Sequence, residues 1–180
     1  MSAEEFFRFC QDNPQLRLER DAKGEIIFMS PSGSNTSRII FVLATRLGMW
    51  NIEHEAGHFH ESSAGFTLPD GSVRAADLAF VSHLRMEGIA TEAYDKFAPV
   101  CPNFIVEVIS PSDSLTEQQA KMDEWMQNGV ELGWLIDPKT EQVWIYESNK
   151  ETVHHSGFDR SLSGVPVLAG FTFDLKLLRG

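Results

Sequence analysis

The amino-acid sequence predicts one domain of the α/β or α+β class over residues 1–180. Two apolar runs, 75–81 and 103–109, have the residue content of buried strands, and the segment 114–128 carries the signals of a helix. The chain of 180 residues is 42% hydrophobic and includes 13 Phe and 4 Trp, which provides for one sizeable core and argues against disorder. No repeat, linker or low-complexity tract divides the chain.

The N-terminal third is predicted to form a short helix, a β-hairpin and a longer helix. Ser2 and Glu5 make a capping box that starts the first helix, and Asn13, which precedes a proline, ends it. Residues 16–29 have the pattern of two short strands around a turn. A loop at 31–35 leads into a helix of about four turns, indicated by apolar residues at helical spacing. These are Ile39, Ile40, Leu43, Leu47 and Trp50.

The middle of the chain is predicted to contain short strands, the two apolar strands and a second long helix. The short strands lie around Phe59 and Phe66. The helix at 114–128 begins with a second Ser-x-x-Glu capping box, and Gly129 follows it at a position that suits left-handed backbone.

The last third is predicted to consist of strands. Residues 131–136 and 142–146 have strand content and are separated by a turn that contains proline. Two short apolar segments, 165–167 and 171–173, are predicted as edge strands.

Each of the two apolar strands contains a single carboxylate, Asp77 in one and Glu107 in the other. An ionised carboxylate among apolar neighbours costs several kcal/mol unless a cation compensates for it. Two such carboxylates on two strands are typical of a small metal site. For Asp77, a strand-end carboxylate that accepts a hydrogen bond from a turn is the alternative interpretation.

The helix at 114–128 places a lysine beside its buried face. On a helical wheel, three residues form the apolar stripe: Leu115, Met122 and Met126. Gln118 and Lys121 lie on one shoulder of this stripe, from which the lysine stem can extend toward Glu107. The alternative is a solvated lysine paired with Glu117 or Glu124 along the helix.

A zinc site built from histidines is a weaker alternative. His54 and His58 are four residues apart, but the glycine at position 57 argues against a helix there. No further ligand is evident nearby, so we expect the six histidines to be scattered on the surface.

The net charge of −11 disfavours tight nonspecific binding to nucleic acid, because an acidic surface repels phosphate groups. Cys10 and Cys101 lack metal-binding or redox spacing and are expected to be free thiols. The first residues lack the basic and apolar regions of a signal peptide, and no apolar run is long enough to cross a membrane. We therefore expect a cytoplasmic protein.

Several segments together resemble one protein family, the Uma-two family, which is part of the PD-(D/E)XK nuclease superfamily. The resemblance extends from about Glu5 to Asp174, and its central part is the most specific. The segments that carry it are 62–77, 102–114, 121–122, 128–129 and 133–138.

The resemblance implies a restriction-endonuclease-like fold, with a central mixed sheet flanked by helices. It also implies that Asp77 is the aspartate of the superfamily motif and Glu107 its second acidic residue. Ala76 stands where the motif has proline, and Ile109 stands where it has lysine. In this family the lysine is expected on the following helix, at Lys121.

The implied activity is Mg²⁺-dependent hydrolysis of DNA phosphodiester bonds by an endonuclease. Asp77, Glu107 and a backbone carbonyl near Val108 or Ile109 would hold Mg²⁺ or Mn²⁺. Lys121 would position the attacking water or stabilise the transition state, and Gln118 would orient the nucleophile or the phosphate. The alternatives are a catalytically silent binding or regulatory protein that retains the fold, and a hydrolase of small phosphoesters. A homodimer is expected, since related nucleases pair two sites on two strands.

Overall fold

The computed structural model describes residues 1–180 and contains four α-helices, twelve strands and two short 3₁₀ helices. The helices are α1 (Ala3–Asp12), α2 (Ser34–His54), α3 (His83–Met86) and α4 (Leu115–Gln127), and the 3₁₀ helices are Thr91–Asp95 and Leu175–Leu178. The first six strands are β1 (Leu18–Arg20), β2 (Ile26–Phe28), β3 (Gly57–Glu61), β4 (Phe66–Thr67), β5 (Val73–Arg74) and β6 (Leu78–Ser82). The others are β7 (Phe104–Val108), β8 (Leu132–Asp137), β9 (Gln142–Glu147), β10 (Val153–Ser156), β11 (Ser161–Ser163) and β12 (Thr172–Asp174).

A six-stranded mixed sheet forms the centre of the molecule, with the strand order β10-β9-β8-β7-β6-β3. Only β7 and β8 are parallel, and α4 is the crossover between them. The central strands β7 and β8 are almost entirely buried, which explains their continuous apolar sequences. The predicted mixed sheet flanked by helices is confirmed.

The two faces of this sheet have separate cores. On one face, α2 packs through residues such as Leu43 and Leu47 against Val106 of β7, together with the C-terminal segment. On the other face, Met122 and Trp125 of α4 pack against alternate residues of the same strands. The small four-stranded sheet β2-β1-β5-β4 lies on the α4 side, because its Phe66 belongs to that core.

Most predicted elements form, but α2 is longer than expected. It runs for 21 residues, and its buried residues include Ile39, Leu43 and Leu47. The hairpin predicted at 16–29 is present as the antiparallel pair β1–β2. No helix of the protein has both the length and the apolar character required to cross a membrane.

Two predicted strands differ in the structure. The run 75–81 is not one strand, since β5 ends at Arg74 and β6 begins at Leu78, with Asp77 in the bend between them. The segment 165–167 is a turn, because Pro166 has no amide hydrogen for a sheet ladder.

The predicted buried stripe of α4 was also partly wrong. Met122 is fully buried as expected, but Trp125 is the other fully buried residue, and Leu115 is 40% exposed. The buried face is therefore rotated toward the shoulder on which Trp125 and Lys121 lie. The reason is that Trp125 fills the space between β7 and the small sheet, where it contacts Phe66.

Candidate functional site

The pairing of β6 with β7 brings Asp77 and Glu107 together. The two strands are antiparallel, with Leu78 opposite Val106, so the next position of the same register places Asp77 opposite Glu107. Directly opposed residues in an antiparallel pair project from the same face, with Cβ atoms about 4.5–5.5 Å apart. Both side chains therefore point to the α4 side of the sheet.

Glu107 is a buried carboxylate with two partners from α4. Only 5% of the residue is exposed, and its Oε1 atom lies 2.9 Å from Lys121 Nζ and accepts a hydrogen bond of 3.2 Å from Trp125 Nε1. The pKa of Glu107 is raised to about 7, mainly by burial and also by the charge of Asp77, while the charge of Lys121 lowers it and offsets part of the rise.

Asp77 is held by the backbone that follows Glu107. Its Oδ2 atom accepts a hydrogen bond of 2.8 Å from the Val108 amide. Burial raises the pKa of this carboxyl group, and this hydrogen bond and the charge of Lys121 offset only part of that effect. The bonded partner is thus a strand amide at the sheet centre rather than a turn.

Lys121 points into the same site and not along its own helix. Its Nζ atom lies 2.9 Å from Glu107 and 3.1 Å from Glu19, and it donates to the Ala75 carbonyl at 2.9 Å. Burial alone would lower the pKa of Lys121, but the charges of Glu107 and Glu19 outweigh it and raise the pKa above its ordinary value. The side chain is therefore a fixed ammonium at neutral pH.

The reasoning from sequence missed a buried ion network next to Lys121. Glu19 is only 2% exposed, and its Oε2 atom lies 2.9 Å from Arg74. Arg74 also forms a bidentate pair with Glu124 at 2.8 and 2.6 Å. Although burial opposes it, the charges of Lys121 and Arg74 hold the pKa of Glu19 below its usual value. No spacing signal could have found these residues, because Glu19 lies in a short hairpin far from its partners in sequence.

A cleft with two lobes surrounds the site. The lobes measure about 490 and 590 Å³, and both include Asp77, Glu107 and Lys121. Gln118 and Val108 line the larger lobe, and the Gln118 side chain makes no hydrogen bond within the protein. Ile109, at the position of the motif lysine, packs instead in the apolar core of the α4 side.

The carboxylates at this site suit a hard divalent cation. Asp77 and Glu107 each use one oxygen in the contacts above, and their second oxygens, Oδ1 and Oε2, receive no hydrogen bond from the protein. No cluster of three or more His, Cys, Asp or Glu side chains that could hold a metal ion is present at this site or elsewhere in the protein. Two carboxylates are nevertheless the number that Mg²⁺ commonly takes from a protein, with waters and phosphate oxygens at the remaining positions.

The charge balance of the site also favours binding of a divalent cation. The cleft centre and its network hold four carboxylates: Asp77, Glu107, Glu19 and Glu124. Only two cations, Lys121 and Arg74, oppose them. A divalent cation would offset this excess of negative charge.

The histidines form no comparable centre. His54 stacks on Trp50 with ring centroids 4.6 Å apart, and His58 meets His83 edge to face at 5.2 Å. Neither pair belongs to a group of metal-binding side chains. These contacts are packing interactions.

Comparisons with known proteins agree with the fold. A crystal structure from Anabaena variabilis, whose title describes "a putative nuclease belonging to DUF820", superposes with a TM-score of 0.82. The match covers 99% of this chain and 97% of the other, at 19% sequence identity. A search of curated protein sequences found no match. The Uma2 family model, described as "Putative restriction endonuclease", matches residues 3–176. The chain thus belongs to the Uma2 family.

Proposed function

We propose that the protein is a Mg²⁺-dependent endonuclease that hydrolyses phosphodiester bonds of DNA at the Asp77–Glu107–Lys121 site. The observation that carries this proposal is the position of the Lys121 ammonium, 2.9 Å from Glu107 and beside Asp77, in a cleft open to substrate. A fixed cation beside two carboxylates that can ligate a metal ion suits phosphodiester hydrolysis, because negative charge accumulates on the phosphate in the transition state.

In this mechanism, Asp77, Glu107 and the backbone carbonyl at Val108 would hold Mg²⁺ or Mn²⁺. When bound, the ion supplies a Lewis acid that lowers the pKa of a water molecule and neutralises charge on the phosphate. Trp125 and the Val108 amide fix the orientations of Glu107 and Asp77, so the carboxylates need not reorganise when the site is loaded.

Lys121 would act as an electrostatic stabiliser and not as a base. Its pKa is raised by Glu107 and Glu19, so the side chain has no free electron pair near neutral pH. Its three N–H groups already face Glu107, Glu19 and the Ala75 carbonyl, so it would stabilise developing charge on the phosphate through its positive charge rather than through a further hydrogen bond. Gln118, whose amide has no partner in the protein, would orient the nucleophilic water or the phosphate from the larger lobe.

A plasmid cleavage assay with Mg²⁺ or Mn²⁺ tests this proposal. The wild-type protein should convert supercoiled plasmid to open-circular or linear forms, and Glu107→Ala should abolish the conversion. Glu151→Ala serves as a control, because Glu151 is an exposed carboxylate near β10 and outside the cleft. Equal cleavage by wild type and Glu107→Ala would show that the nuclease activity comes from elsewhere.

A catalytically silent binding or regulatory protein is the second candidate function. The observation in its favour is the net charge of −11, together with the pairing of both buried cations of the site with carboxylates. Calorimetry with Mn²⁺ separates the two candidates when combined with the cleavage assay. Binding of Mn²⁺ that depends on Asp77 and Glu107, without cleavage of any DNA substrate, would favour the silent protein.

A further inference from the structure

The two lobes of the cleft differ in charge, and this difference has consequences for how a substrate can lie in it. Outside the residues that both lobes share, the smaller lobe contains one charged side chain, Arg17. The larger lobe adds three carboxylates, Asp113, Glu117 and Glu124, and no cation. The smaller lobe is called the Arg17 lobe below, and the larger one the acidic lobe.

Arg17 is the one cation of the cleft that has no carboxylate partner. Lys121 and Arg74 both belong to the ion network, whereas the Arg17 side chain makes one hydrogen bond, to Ser62 Oγ at 3.5 Å. Arg17 lies two positions before Glu19 in the extended chain. The Arg17 carbonyl accepts a hydrogen bond from the Met29 amide, so the hydrogen bonding between β1 and β2 extends to Arg17. Alternate residues of a strand share one face, so Arg17 is presented on the same side as Glu19.

The walls of the Arg17 lobe are suited to a phosphate group. Four serines line it: Ser30 and Ser32, which also line the acidic lobe, and Ser62 and Ser63. Ser30 and Ser32 make no side-chain hydrogen bond within the protein and are free to donate, while Ser62 and Ser63 contact Glu61. A guanidinium and neutral hydroxyl donors are typical ligands of a phosphodiester oxygen.

Beyond the shared residues, the acidic lobe has an exposed apolar surface and no further cation. Phe28 lines this lobe and is 69% exposed, and Met29, shared by both lobes, is 38% exposed. An exposed aromatic ring is a platform on which an unpaired base can stack, and stacking requires no contact with the phosphate backbone. On this side, therefore, a base can face the protein while the phosphates stay away from the carboxylates.

We propose that the cleft binds a single nucleic-acid strand, with a phosphate at Arg17 and an unpaired base on Phe28. This assignment rests on the proposed function, because it takes the bond between these two contacts as the one that is hydrolysed. A duplex is disfavoured because it has no unpaired base for Phe28, and because its binding depends on many cation–phosphate contacts. Here the cleft offers one free cation on a chain with a net charge of −11.

Fluorescence anisotropy with a labelled single-stranded oligonucleotide tests the inference without relying on cleavage. The protein of residues 1–180 is titrated in Ca²⁺, and gel electrophoresis shows whether the probe stays intact. Arg17→Ala should weaken binding by about tenfold, the scale of one charge-assisted hydrogen bond. It should also reduce the slope of log affinity against log salt by about 0.7, the value for one phosphate contact on a single strand.

Two matched controls lie outside the cleft and outside α2. Arg160, just before β11, is exposed and unpaired like Arg17, and Leu84 of α3 is 75% exposed, similar to Phe28. Phe28→Ala should weaken single-strand binding, also by about tenfold, which corresponds to one stacked base. Arg160→Ala and Leu84→Ala should each change binding less than twofold. Arg17→Lys should retain the salt slope, because the point charge remains.

The outcomes separate this inference from the proposed function. Binding that depends on Arg17 and Phe28 supports the inference even when no DNA is cleaved. The inference is overturned if Arg17→Ala and Phe28→Ala behave like their controls, if no oligonucleotide binds, or if a duplex of the same sequence binds equally well or better. Cleavage that persists in any of those cases would leave the nuclease proposal intact.

Discussion

At the scale of single residues, the position of Lys121 is the feature with the clearest chemical consequence. Lys121→Ala should lower phosphodiester cleavage by about 10²–10³, the effect of removing one preorganised electrostatic contact. Metal affinity should change little, because an ammonium is not a metal ligand. Lys121→Arg should restore little activity, since a planar guanidinium does not replace a compact charge between Glu107 and Glu19.

Steady-state kinetics and Mn²⁺ calorimetry on the same preparations check this prediction. Lys139→Ala is the control, because Lys139 is an exposed lysine in the turn between β8 and β9. A wild-type rate in Lys121→Ala would remove this residue from the mechanism. A loss of Mn²⁺ binding in Lys121→Ala would indicate that the substitution disturbs the site as a whole.

Glu107 should make stability depend on pH in the metal-free protein. Its pKa in the folded state is about 7, above the ordinary value of 4.5. The contribution of Glu107 to the unfolding free energy is therefore fully present below about pH 4.5 and is lost as the pH rises through 7. In EDTA, the wild-type unfolding free energy should therefore fall over this range, on the order of 1–3 kcal/mol.

Urea unfolding at a series of pH values measures this effect. In Glu107→Gln the decline between about pH 4.5 and 7 should be much smaller, because the amide does not titrate; Asp77, whose pKa is also raised, accounts for the remainder. Saturating Mg²⁺ should reduce the decline in the wild-type protein, since a cation stabilises the ionised carboxylates. Parallel pH profiles for wild type and Glu107→Gln would contradict the prediction.

At the scale of elements, the β1–β2 hairpin is fixed to the rest of the site by Glu19. This carboxylate of β1 contacts Lys121 of α4, Arg74 of β5 and the Ala75 amide, so it connects three parts of the chain. Removing one partner of a buried ion network leaves the others uncompensated. Glu19 therefore adds to the pairing of β1 with β5 in fixing the hairpin, which carries Arg17 and Phe28 to the cleft.

Glu19→Ala should destabilise the protein by about 3–5 kcal/mol, because Lys121 and Arg74 each lose a buried partner. Glu25→Ala, at an exposed carboxylate of the same hairpin, should change stability by about 0.5 kcal/mol or less. Urea denaturation measures both, and hydrogen exchange should show faster exchange of the β1 and β2 amides in Glu19→Ala. Equal stability of the two variants would contradict the importance assigned to Glu19.

At the scale of the whole molecule, we predict that two copies of the chain associate as a homodimer. The surface of α2 exposes Phe41, Met49 and Ile52 as apolar area that association can bury. Sedimentation equilibrium at micromolar concentration should show a species of twice the chain mass of 20.2 kDa. A single species of the chain mass at these concentrations would contradict the prediction.

The order and type of the main elements were predictable from local sequence. The capping box at Ser2, helical spacing in α2, and the apolar runs of β7 and β8 are signals that act over a few residues. Ser114 is the N-cap residue of α4, but its side chain makes no capping hydrogen bond, so the second predicted capping box does not form. The errors occurred where local pattern and tertiary packing disagree. The bend at Asp77 interrupts an apolar run, and the burial of Trp125 depends on Phe66 in another sheet.

The sequence by itself indicated that Asp77 and Glu107 are chemically unusual, because an isolated carboxylate in an apolar segment is costly wherever the segment folds. Lys121 lies in a polar helix and was expected at the site through the family resemblance, as a partner of Asp77 and Glu107. Only the tertiary structure decided that they share one cleft, through the register that sets Asp77 opposite Glu107. It also decided the parts played by Glu19 and Arg17, which reach the cleft because the hairpin packs against β5 and α4. Such contacts join residues up to 102 positions apart, and no local pattern encodes them.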